Sequence, residues 1–477
     1  MKNGLALVFA VLAVALAIIS PWPPGLGETT TGDTRLAAAL RDTAPSTGLR
    51  DASVALIENG TVRLAGVGDR PITPETPFEI GSITKTLTAM MIADLAEDGV
   101  LRLSDPVEAL LPELKGTPAG RATLEELVSH RAGLPNTPAG GPQGVIRVVL
   151  SNFSGANPYP LSAESVLREA ATAEVEGRGA VAYSNLGVAL AGHAAARRAG
   201  KPYTDLLKER VLAPLGMTGT VVAGLGEEPP PGGALPHRAN GHPVTPWTSP
   251  GYSPAGFGVW STASDLARLL NGVIAGTAPG AGGAKPRFDA GSGERIGLAW
   301  FTTPKGGRQI TWHNGGTGGS RSFAGFDAAT GQGIIVLSNT AQDVDAVALR
   351  LLGVDEEDPS LSLPLLGLGI LWPLIVVYAS VSSIRRIDDL NRLQAVNDAA
   401  WSAVLLYLAW VTGPWERLTV LPWLAAASLF AASVVIVLGR WRQLPAMSER
   451  APGSQRWSAG LSLAFSALAA AAVTIPM

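Results

Sequence analysis

Hydrophobic and polar positions divide the chain into a central region of mixed pattern and a C-terminal region that is almost uncharged. In the central region, Ser53–Glu58 and Thr61–Ala65 flank an Asn-Gly pair, which favours a tight hairpin turn. Apolar residues recur at helical spacing from Ser82 to about Glu97 and predict a helix. Ser322–Phe326 and Gly333–Ser338 predict two further strands. Since strands open and close this region, we predict an α/β sandwich with one antiparallel sheet and helices packed against it.

Two long stretches of the central region, Gly224–Gly256 and Gly272–Gly293, are rich in glycine and proline. Ordinary connections between helices and strands are much shorter, so we predict that both stretches are surface loops around a cleft. For the second stretch, an insertion without a functional role is an equal alternative.

The C-terminal region, residues 360–477, contains four apolar segments with almost no internal charge, which predict about four transmembrane helices. These segments are Ser360–Ile384, Ala399–Thr412, Leu418–Gly439 and Trp457–Ile475. At the other end of the chain, Leu5–Ser20 predicts either a signal peptide or a retained membrane anchor within residues 1–25. The alternative for the C-terminal region is the buried helical bundle of a soluble protein.

Arginines indicate the orientation of the predicted membrane helices. The loops after the first and third segments are rich in arginine, whereas the loop between them carries only Arg417. The positive-inside rule places the arginine-rich loops in the cytoplasm. Residues 30–355 then form one domain outside the cytoplasm, and we predict a multi-pass protein of the cell membrane with the lipid bilayer as a partner. An exporting segment at the N-terminus agrees with this orientation.

The composition of the chain argues against several kinds of partner and site. The chain has 477 residues, of which 16% are charged, and a net charge of −3, so no basic excess indicates a nucleic-acid partner. It has no cysteine, which excludes disulfides, thiolate metal sites and a cysteine nucleophile. Its five histidines lack the spacing of a zinc-binding motif, so we predict no metal and no cofactor.

Ser82 and Lys85 open the predicted helix three residues apart, and therefore lie on one helical face. A serine hydroxyl needs an adjacent base to act as a nucleophile, and a desolvated lysine can supply that base. The positive end of the helix favours a developing alkoxide. Of the seven lysines in the chain, only Lys85 has a serine three residues before it, although serine at a helix start is also a common cap.

Two further elements offer polar groups to the same cleft. Tyr183 and Asn185 are two residues apart, so a phenol and a carboxamide can face one side of an extended segment. The tyrosine can relay a proton if a lysine lowers its pKa, and the asparagine can both donate to a substrate amide and orient the lysine. His313 ends an alternating stretch from Gln309 that predicts a strand, and Gly315 would let a substrate backbone approach closely. Each element alone is also compatible with a purely structural role.

Together these elements resemble the serine β-lactamase-related superfamily, which includes class C β-lactamases, serine D-Ala-D-Ala carboxypeptidases, esterases and D-aminopeptidases. The resemblance covers about residues 34–345 and excludes the C-terminal region. The other stretches that carry it are Glu79–Lys85, Leu101–Pro106, Leu127–Pro135, Gly258–Leu266 and Ile334–Asn339. It implies a β-lactamase-type sandwich, in which an antiparallel sheet is flanked by helices and accompanied by a helical lobe.

The resemblance also implies a role for each candidate residue. Ser82 would attack a carbonyl and form an acyl-enzyme, with the proton transfers shared by Lys85 and Tyr183. The residues expected to bind substrate are Asn185, His313 and Gly315. The backbone N–H groups expected to form the oxyanion hole are those of Ser82 and Gly316. His130 falls in a structural loop of the family and is not predicted to be catalytic.

One departure from the family pattern narrows the expected function. β-Lactamases usually have Lys-Thr-Gly where this chain has His313-Asn314-Gly315, and a neutral histidine clamps a substrate carboxylate less well than lysine. Efficient penicillin hydrolysis is therefore less expected, and Arg321 is either a replacement charge or an ordinary solvated arginine.

We predict a membrane-anchored, extracytoplasmic serine hydrolase. Its substrate would be a small molecule or a peptide, such as a D-alanyl peptide derived from the cell wall, a β-lactam or an ester. The alternatives are a non-hydrolytic sensor that binds or is acylated by its ligand and, more weakly, a transporter.

Overall fold

The computed structural model describes residues 16–137, 141–358 and 363–446.

The predicted hairpin is present, with Asn59 at φ 50° and Gly60 at φ 75° in its turn. The strands are β1 (Thr29–Gly32), β2 (Ala52–Glu58), β3 (Thr61–Gly68), β4 (Phe78–Glu79), β5 (Val221–Val222), β6 (Val259–Ser261), β7 (Phe288–Gly291), β8 (Glu294–Ile296), β9 (Phe301–Lys305), β10 (Arg308–Gly316), β11 (Arg321–Asp327) and β12 (Gln332–Ser338). The helices are α1 (Thr34–Thr43), α2 (Thr84–Glu97), α3 (Val107–Leu110), α4 (Leu124–Val128), α5 (Gly141–Ser154), α6 (Ala163–Thr172), α7 (Asn185–Ala199), α8 (Tyr203–Leu207), α9 (Ala263–Ala275), α10 (Asp345–Leu351), α11 (Leu363–Arg385), α12 (Arg392–Thr412) and α13 (Leu421–Arg440).

Nine strands form one antiparallel sheet in the order β1-β3-β2-β12-β11-β10-β9-β8-β7. β2 pairs with β12, so strands from the two ends of the domain lie side by side, as the sequence predicts. β10 lies between β9 and β11, with His313 opposite Ala324 and Gly316 opposite Arg321. A second, small sheet in the order β4-β6-β5 leads into the predicted Ser82 helix.

Helices cover both faces of the large sheet. On one face, Leu40 of α1 is buried in a common cluster with Val54 of β2. On the other face, Leu270 of α9 and Ile335 of β12 belong to a larger cluster that extends into the helical lobe. This arrangement confirms the predicted antiparallel sheet flanked by helices.

The second glycine-rich stretch is not a loop throughout, contrary to our prediction. Its first residues complete α9, which ends at Ala275 and is capped by Gly276 at φ 70°. β7 and its turn lie further along the same stretch. The glycines there cap a helix and turn a hairpin, which is why composition alone suggested a loop.

Three of the four predicted C-terminal segments form α11, α12 and α13. In the described part of the chain, α13 is the one helix long and apolar enough to cross a membrane, and α11 contains a shorter apolar stretch, Gly369–Arg385. α12 begins before the predicted segment and includes Asp398. The segment Trp457–Ile475 and most of Leu5–Ser20 lie outside the described residues. The structure therefore provides one candidate span and does not establish a multi-pass membrane region.

The turn between α12 and α13 lies against the sheet domain. Asn240 Nδ2 donates hydrogen bonds to the carbonyl oxygens of Val411 (3.0 Å) and Gly413 (3.1 Å). α12 has 21 residues, which corresponds to about 30 Å of helix. The arginine-bearing ends of these helices lie together at the far end, where Arg440 pairs with Asp388.

Candidate active site

Ser82 lies in a single 3₁₀ turn, Gly81–Ile83, between β4 and α2. Gly81 adopts φ 49°, and a Cβ atom there would lie 2.7 Å from the backbone nitrogen of Gly316. Gly256 adopts φ 110°, and its Cβ position is 2.0 Å from the Gly81 carbonyl oxygen. Gly81 and Gly256 therefore let their segments and the backbone at Gly316 meet beside Ser82, because a side chain at either of these two glycines would collide with backbone atoms.

Two side chains from distant segments meet at the Ser82 hydroxyl. Lys85 Nζ, one turn along α2, lies 2.7 Å from Ser82 Oγ. Tyr183 OH, which precedes α7, also lies 2.7 Å from Ser82 Oγ. Lys85 Nζ donates a second hydrogen bond to the Ala255 carbonyl (2.7 Å) and lies 4.9 Å from the centre of the Tyr183 ring. Two of the three residues predicted to be catalytic, Lys85 and Tyr183, thus each lie within hydrogen-bond distance of the third, Ser82.

Burial shifts the pKa of both donors. Lys85 is completely buried, and desolvation lowers its pKa well below the ordinary value, which favours the neutral amine that can accept the Ser82 proton. Burial raises the pKa of Tyr183, against a smaller opposite effect of its hydrogen bond to Ser82. The lowered tyrosine pKa that we expected for a proton relay is therefore not found, and Tyr183 holds its own proton in the hydrogen bond to Ser82.

His313 is buried beside this cluster but is not joined to it by a hydrogen bond. Its Nδ1 donates to the Asn314 carbonyl (2.5 Å), so the unprotonated nitrogen is Nε2, which has no partner among the described residues. Burial, reinforced by the nearby Lys85, lowers the pKa of His313 from 6.5 to about 3. The neighbouring acid, Asp345, accepts a hydrogen bond from Asn314 Nδ2 (2.6 Å) rather than from the imidazole.

This geometry lacks the Ser-His-acid chain of a classical triad, because His313 is bonded to neither a serine nor an acid. The ring centre lies 6.2 Å from that of Tyr183, and the His313 side chain is buried beside it. In the described ranges, no three His, Cys, Asp or Glu side chains are arranged to hold a metal ion.

Asn185 is the first residue of α7, two residues after Tyr183. Its Nδ2 donates to Asn136 Oδ1 (2.9 Å) and to Thr137 Oγ1 (2.7 Å), which fixes the carboxamide. Its buried Oδ1 has no partner among the described residues. The sequence-based suggestion that Asn185 orients the lysine is not realised, because Lys85 donates to Ser82 and Ala255 instead. The free Oδ1 can accept an N–H from an amide substrate.

The structure shows a packing reason for glycine at position 315. A Cβ atom at Gly315 would lie 2.0 Å from the Ile80 carbonyl oxygen and 2.3 Å from Ser322 Oγ. The segment that leads to Ser82 therefore excludes a side chain here, and the close approach of a substrate backbone stays a prediction. Gly315 lets β10 pack against this segment, and Ser322 Oγ donates to the Ile80 carbonyl (2.7 Å).

Arg321 is not an ordinary solvated arginine, which was one of the two readings of this residue. Its Nη1 donates to the carbonyls of Thr317 (2.8 Å) and Ser320 (2.9 Å). The guanidinium thereby holds the turn that follows the candidate oxyanion residue Gly316, whose Cβ position is 3.0 Å from the same Nη1.

Comparison with known proteins assigns the family. A family model described as Beta-lactamase matches residues 34–356, which is most of the chain. The chain belongs to the beta-lactamase family. It is 31% identical over 179 residues to a beta-lactamase from Pseudomonas fluorescens, covering 36% of this chain and 45% of that protein. It is 32% identical over 152 residues to the D-alanyl-D-alanine-carboxypeptidase/endopeptidase AmpH from Escherichia coli strain K12, covering 31% of this chain and 37% of that protein. The matches thus span less than half the length of these two relatives.

Solved structures share the beta-lactamase fold. A class C beta lactamase from Rhodobacter sphaeroides matches with a TM-score of 0.54 at 21% identity, covering 65% of this chain and 94% of that one. A beta-lactamase/D-alanine carboxypeptidase from Pseudomonas syringae matches with a TM-score of 0.57 at 20% identity, covering 68% of this chain and 100% of that one. The family match ends at residue 356, so α11, α12 and α13 lie beyond it.

Our sequence analysis assigned no role to Glu79, although it is a buried acid three residues before Ser82. One carboxylate oxygen accepts from Thr317 Oγ1 (2.7 Å) and Ser320 Oγ (3.3 Å), and the other accepts from the Trp247 backbone N–H (2.8 Å). Glu79 therefore ties the strand before the serine to the turn after Gly316 and to the loop that carries Trp247. An acid between the apolar Phe78 and Ile80 was the only available sequence signal.

We expect Glu79→Gln to change how stability depends on pH. Burial raises the pKa of Glu79 from 4.5 to about 7, so the folded chain binds a proton that the unfolded chain releases between these values. The free energy of unfolding of the wild type should therefore fall as the pH rises through this window, by up to about 3 kcal/mol. Glutamine does not titrate and removes this dependence.

The measurement is urea unfolding of the wild type and Glu79→Gln at pH 5 and pH 8. The wild type should lose stability relative to the variant on going to pH 8. The exposed Glu75 provides the matched control: the difference in free energy of unfolding between the wild type and Glu75→Gln should be nearly the same at pH 5 and pH 8. If the difference between the wild type and Glu79→Gln were also the same at both pH values, Glu79 would be ionised at both.

His130 supports Tyr183 from behind. Its Nδ1 accepts a hydrogen bond from the Ser184 backbone N–H (3.2 Å). Its backbone carbonyl oxygen accepts a hydrogen bond from the backbone N–H of Ala182 (2.7 Å). The two ring centres, of His130 and Tyr183, are 4.5 Å apart. His130 thus positions the backbone on both sides of Tyr183 without touching Ser82, in keeping with the structural role expected for it.

Proposed function

We propose that this chain is a serine hydrolase that forms an acyl-enzyme on Ser82. The observation that carries the proposal is the convergence of Lys85 Nζ and Tyr183 OH on the Ser82 hydroxyl, each at 2.7 Å. Lys85 is buried, has a lowered pKa and, among the residues that the structure describes, has no carboxylate within hydrogen-bond distance. Such a lysine has little use in stabilising the fold, because burying an amine without a counter-charge is unfavourable. The same group is well suited to general base catalysis.

The proposed reaction has two halves that use the same groups. Ser82 Oγ attacks the substrate carbonyl while its proton passes to Lys85, directly or through Tyr183. The backbone N–H groups of Ser82 and Gly316 stabilise the negative oxygen of the tetrahedral intermediate. The proton is then delivered to the departing amine or alcohol. Water attacks the acyl-enzyme in the second half, and its proton follows the reverse route to restore the Ser82 hydroxyl.

The charge of the cleft favours esters and amides without an essential carboxylate at the His313 position. With a pKa of about 3, His313 is neutral at physiological pH and cannot act as a cation. Arg321 is turned to the carbonyls of Thr317 and Ser320. We therefore propose an ester, or an amide that is not recognised through a carboxylate at this position, as the preferred substrate. β-Lactams and peptides that end in a free D-alanine carry such a carboxylate and are proposed as poorer substrates.

We further propose that α11 to α13 anchor the hydrolase domain outside the cytoplasm. Only 28% of the most apolar stretch of α13 is buried within the protein, which favours contact with lipid over a soluble core. The arginines cluster at the end of the helices far from the hydrolase domain, as the positive-inside rule requires for an external domain.

The function is tested by locating the acyl group. The purified full-length protein is treated with a fluorophosphonate or a fluorescent penicillin, digested, and analysed by mass spectrometry. We expect the adduct on the peptide that contains Ser82, and competition between the two reagents. An adduct on another serine, or no adduct with either reagent alongside absent ester turnover, would contradict the proposed function.

A further inference from the structure

Helix α5 turns its aliphatic side chains outward. Its buried residues are Gly144 and Ser151, whereas Val145, Ile146 and Val149 are 52%, 59% and 50% exposed. A helix on the surface of a water-soluble domain has the opposite arrangement, with aliphatic residues inward and polar residues outward. The three aliphatic residues are neighbours on one helical face and form a continuous patch, which marks contact with an apolar partner.

This patch lies beside the candidate membrane helices. α5 packs against α12. At the end of α5, Arg238 donates to the carbonyl of Asn152 (2.6 Å), and two residues later Asn240 binds the carbonyls of Val411 and Gly413 at the end of α12. α5 therefore lies at the end of α12 that adjoins the hydrolase domain. In a membrane-anchored protein, this is the level of the outer bilayer surface.

Other apolar and aromatic groups are exposed at the same level. Trp410, near the end of α12, donates through Nε1 to the Ile19 carbonyl (3.2 Å), which brings the N-terminal segment to this place. Ile18, Ile19 and Trp22 are 77%, 60% and 58% exposed. Tryptophan is enriched at the interface between lipid and water, where its ring meets both.

Both ends of α5 are connected to the rim of the Ser82 cleft. Shortly before the helix, Asn136 and Thr137 hold the carboxamide of Asn185. Shortly after it, the ring of Tyr159 packs edge-on against that of Trp247 (5.9 Å between centres). The segments on either side of the helix therefore contact Asn185 and Trp247, while the helix itself makes none of these contacts.

We propose that α5 lies in the surface of the lipid bilayer, and that the adjacent cleft receives amphiphilic esters or amides whose hydrocarbon chain remains in the membrane. The inference rests on the membrane anchoring proposed above. The occupant of the patch is lipid because the patch continues the surface of the apolar helices. Arg147, within the same helix, can reach the headgroups of anionic lipids, as interfacial helices commonly do.

The chain has no cysteine, so single cysteines can carry an environment-sensitive fluorophore at chosen positions. We would label Ile146→Cys in α5, Leu374→Cys on the exposed face of α11, and Ala328→Cys in the exposed β11–β12 turn. The full-length variants are placed in vesicles of phosphatidylcholine and phosphatidylglycerol, with and without lipids that carry a quencher, either near the headgroup (for position 146) or at the end of the acyl chain (for position 374, in the middle of α11). We expect lipid-dependent quenching at positions 146 and 374 and none at position 328.

The outcomes separate this inference from the anchoring. Quenching at 374 without quenching at 146 overturns the interfacial helix while the anchoring stands. No quenching at 374 overturns the anchoring and, with it, the interfacial helix. A blue-shifted but unquenched fluorophore at 146 shows that a second copy or another protein covers the patch, and also overturns the inference.

Activity gives a second measurement. The triple variant Val145→Ser, Ile146→Ser, Val149→Ser lies outside the catalytic cluster and should hydrolyse a soluble short-chain ester at the wild-type rate. Its kcat/KM for a long-chain ester embedded in vesicles should fall by roughly tenfold or more, the effect of losing about 1.4 kcal/mol of membrane contact. If the triple variant hydrolysed the vesicle-embedded ester as fast as the wild type does, the proposed substrate class would be overturned.

Discussion

Replacing Ser82 with alanine should abolish acyl labelling and reduce ester hydrolysis by at least roughly 10,000-fold, because no other group can form the covalent intermediate. The chain should still fold. Ser82 is half-buried in a short turn, and Lys85 retains its hydrogen bond to the Ala255 carbonyl when the hydroxyl is removed.

The measurement is the burst and steady-state rate of hydrolysis of a chromogenic ester, together with thermal unfolding of the same samples. Ser165→Ala in α6 is a suitable control, since this serine is bonded only to its neighbours Ser162 and Arg168 and lies outside the catalytic cluster. If Ser82→Ala remained active while Ser165→Ala behaved like the wild type, the acyl-enzyme assignment would be wrong.

The second large effect is expected from Lys85→Ala. Loss of the general base should slow acylation by every substrate by roughly 100- to 10,000-fold. His313→Gln should cost much less on a neutral ester, because His313 makes no hydrogen bond to Ser82 and is a positioning group in this proposal. His313→Lys should retain turnover of small activated esters and improve reaction with β-lactams that carry a carboxylate.

Acylation rates for a neutral ester and an anionic β-lactam, measured for the three variants, distinguish the two roles. A base affects both reactions equally, whereas a positioning group affects them differently. Near-total loss of both reactions in His313→Lys, matching Lys85→Ala, would restore a histidine-based mechanism and contradict the role assigned to Lys85.

Much of the architecture could be read from local patterns. The Asn-Gly hairpin, the β12 strand and the helix after Ser82 follow from turn chemistry and periodicity within a few residues. The exceptions are α9 and β7, which glycine-rich composition obscured. In these places glycine serves as a helix cap or a hairpin turn, and composition does not distinguish such uses from a loop.

The candidate chemistry was also visible in part, since spacing alone places Ser82 and Lys85 on one helical face. The surroundings of Ser82 and Lys85 could not be predicted from their spacing. Tyr183 is 101 residues from Ser82 in the chain, and only packing of α7 against α2 brings the two hydroxyls to 2.7 Å. The lowered pKa of Lys85 likewise depends on complete burial, which involves residues from distant segments.

The sequence by itself determined the residue types, their local spacing and the division into a sandwich domain and an apolar region, because these depend on neighbours a few positions apart. Only the tertiary structure decided that Gly315 admits the Ile80 backbone, that Glu79 joins three segments behind the serine, and that α5 exposes its aliphatic face. These features are contacts between segments far apart in the chain. Periodicity shows which positions are apolar, but the surface that covers them is determined by how the whole chain packs.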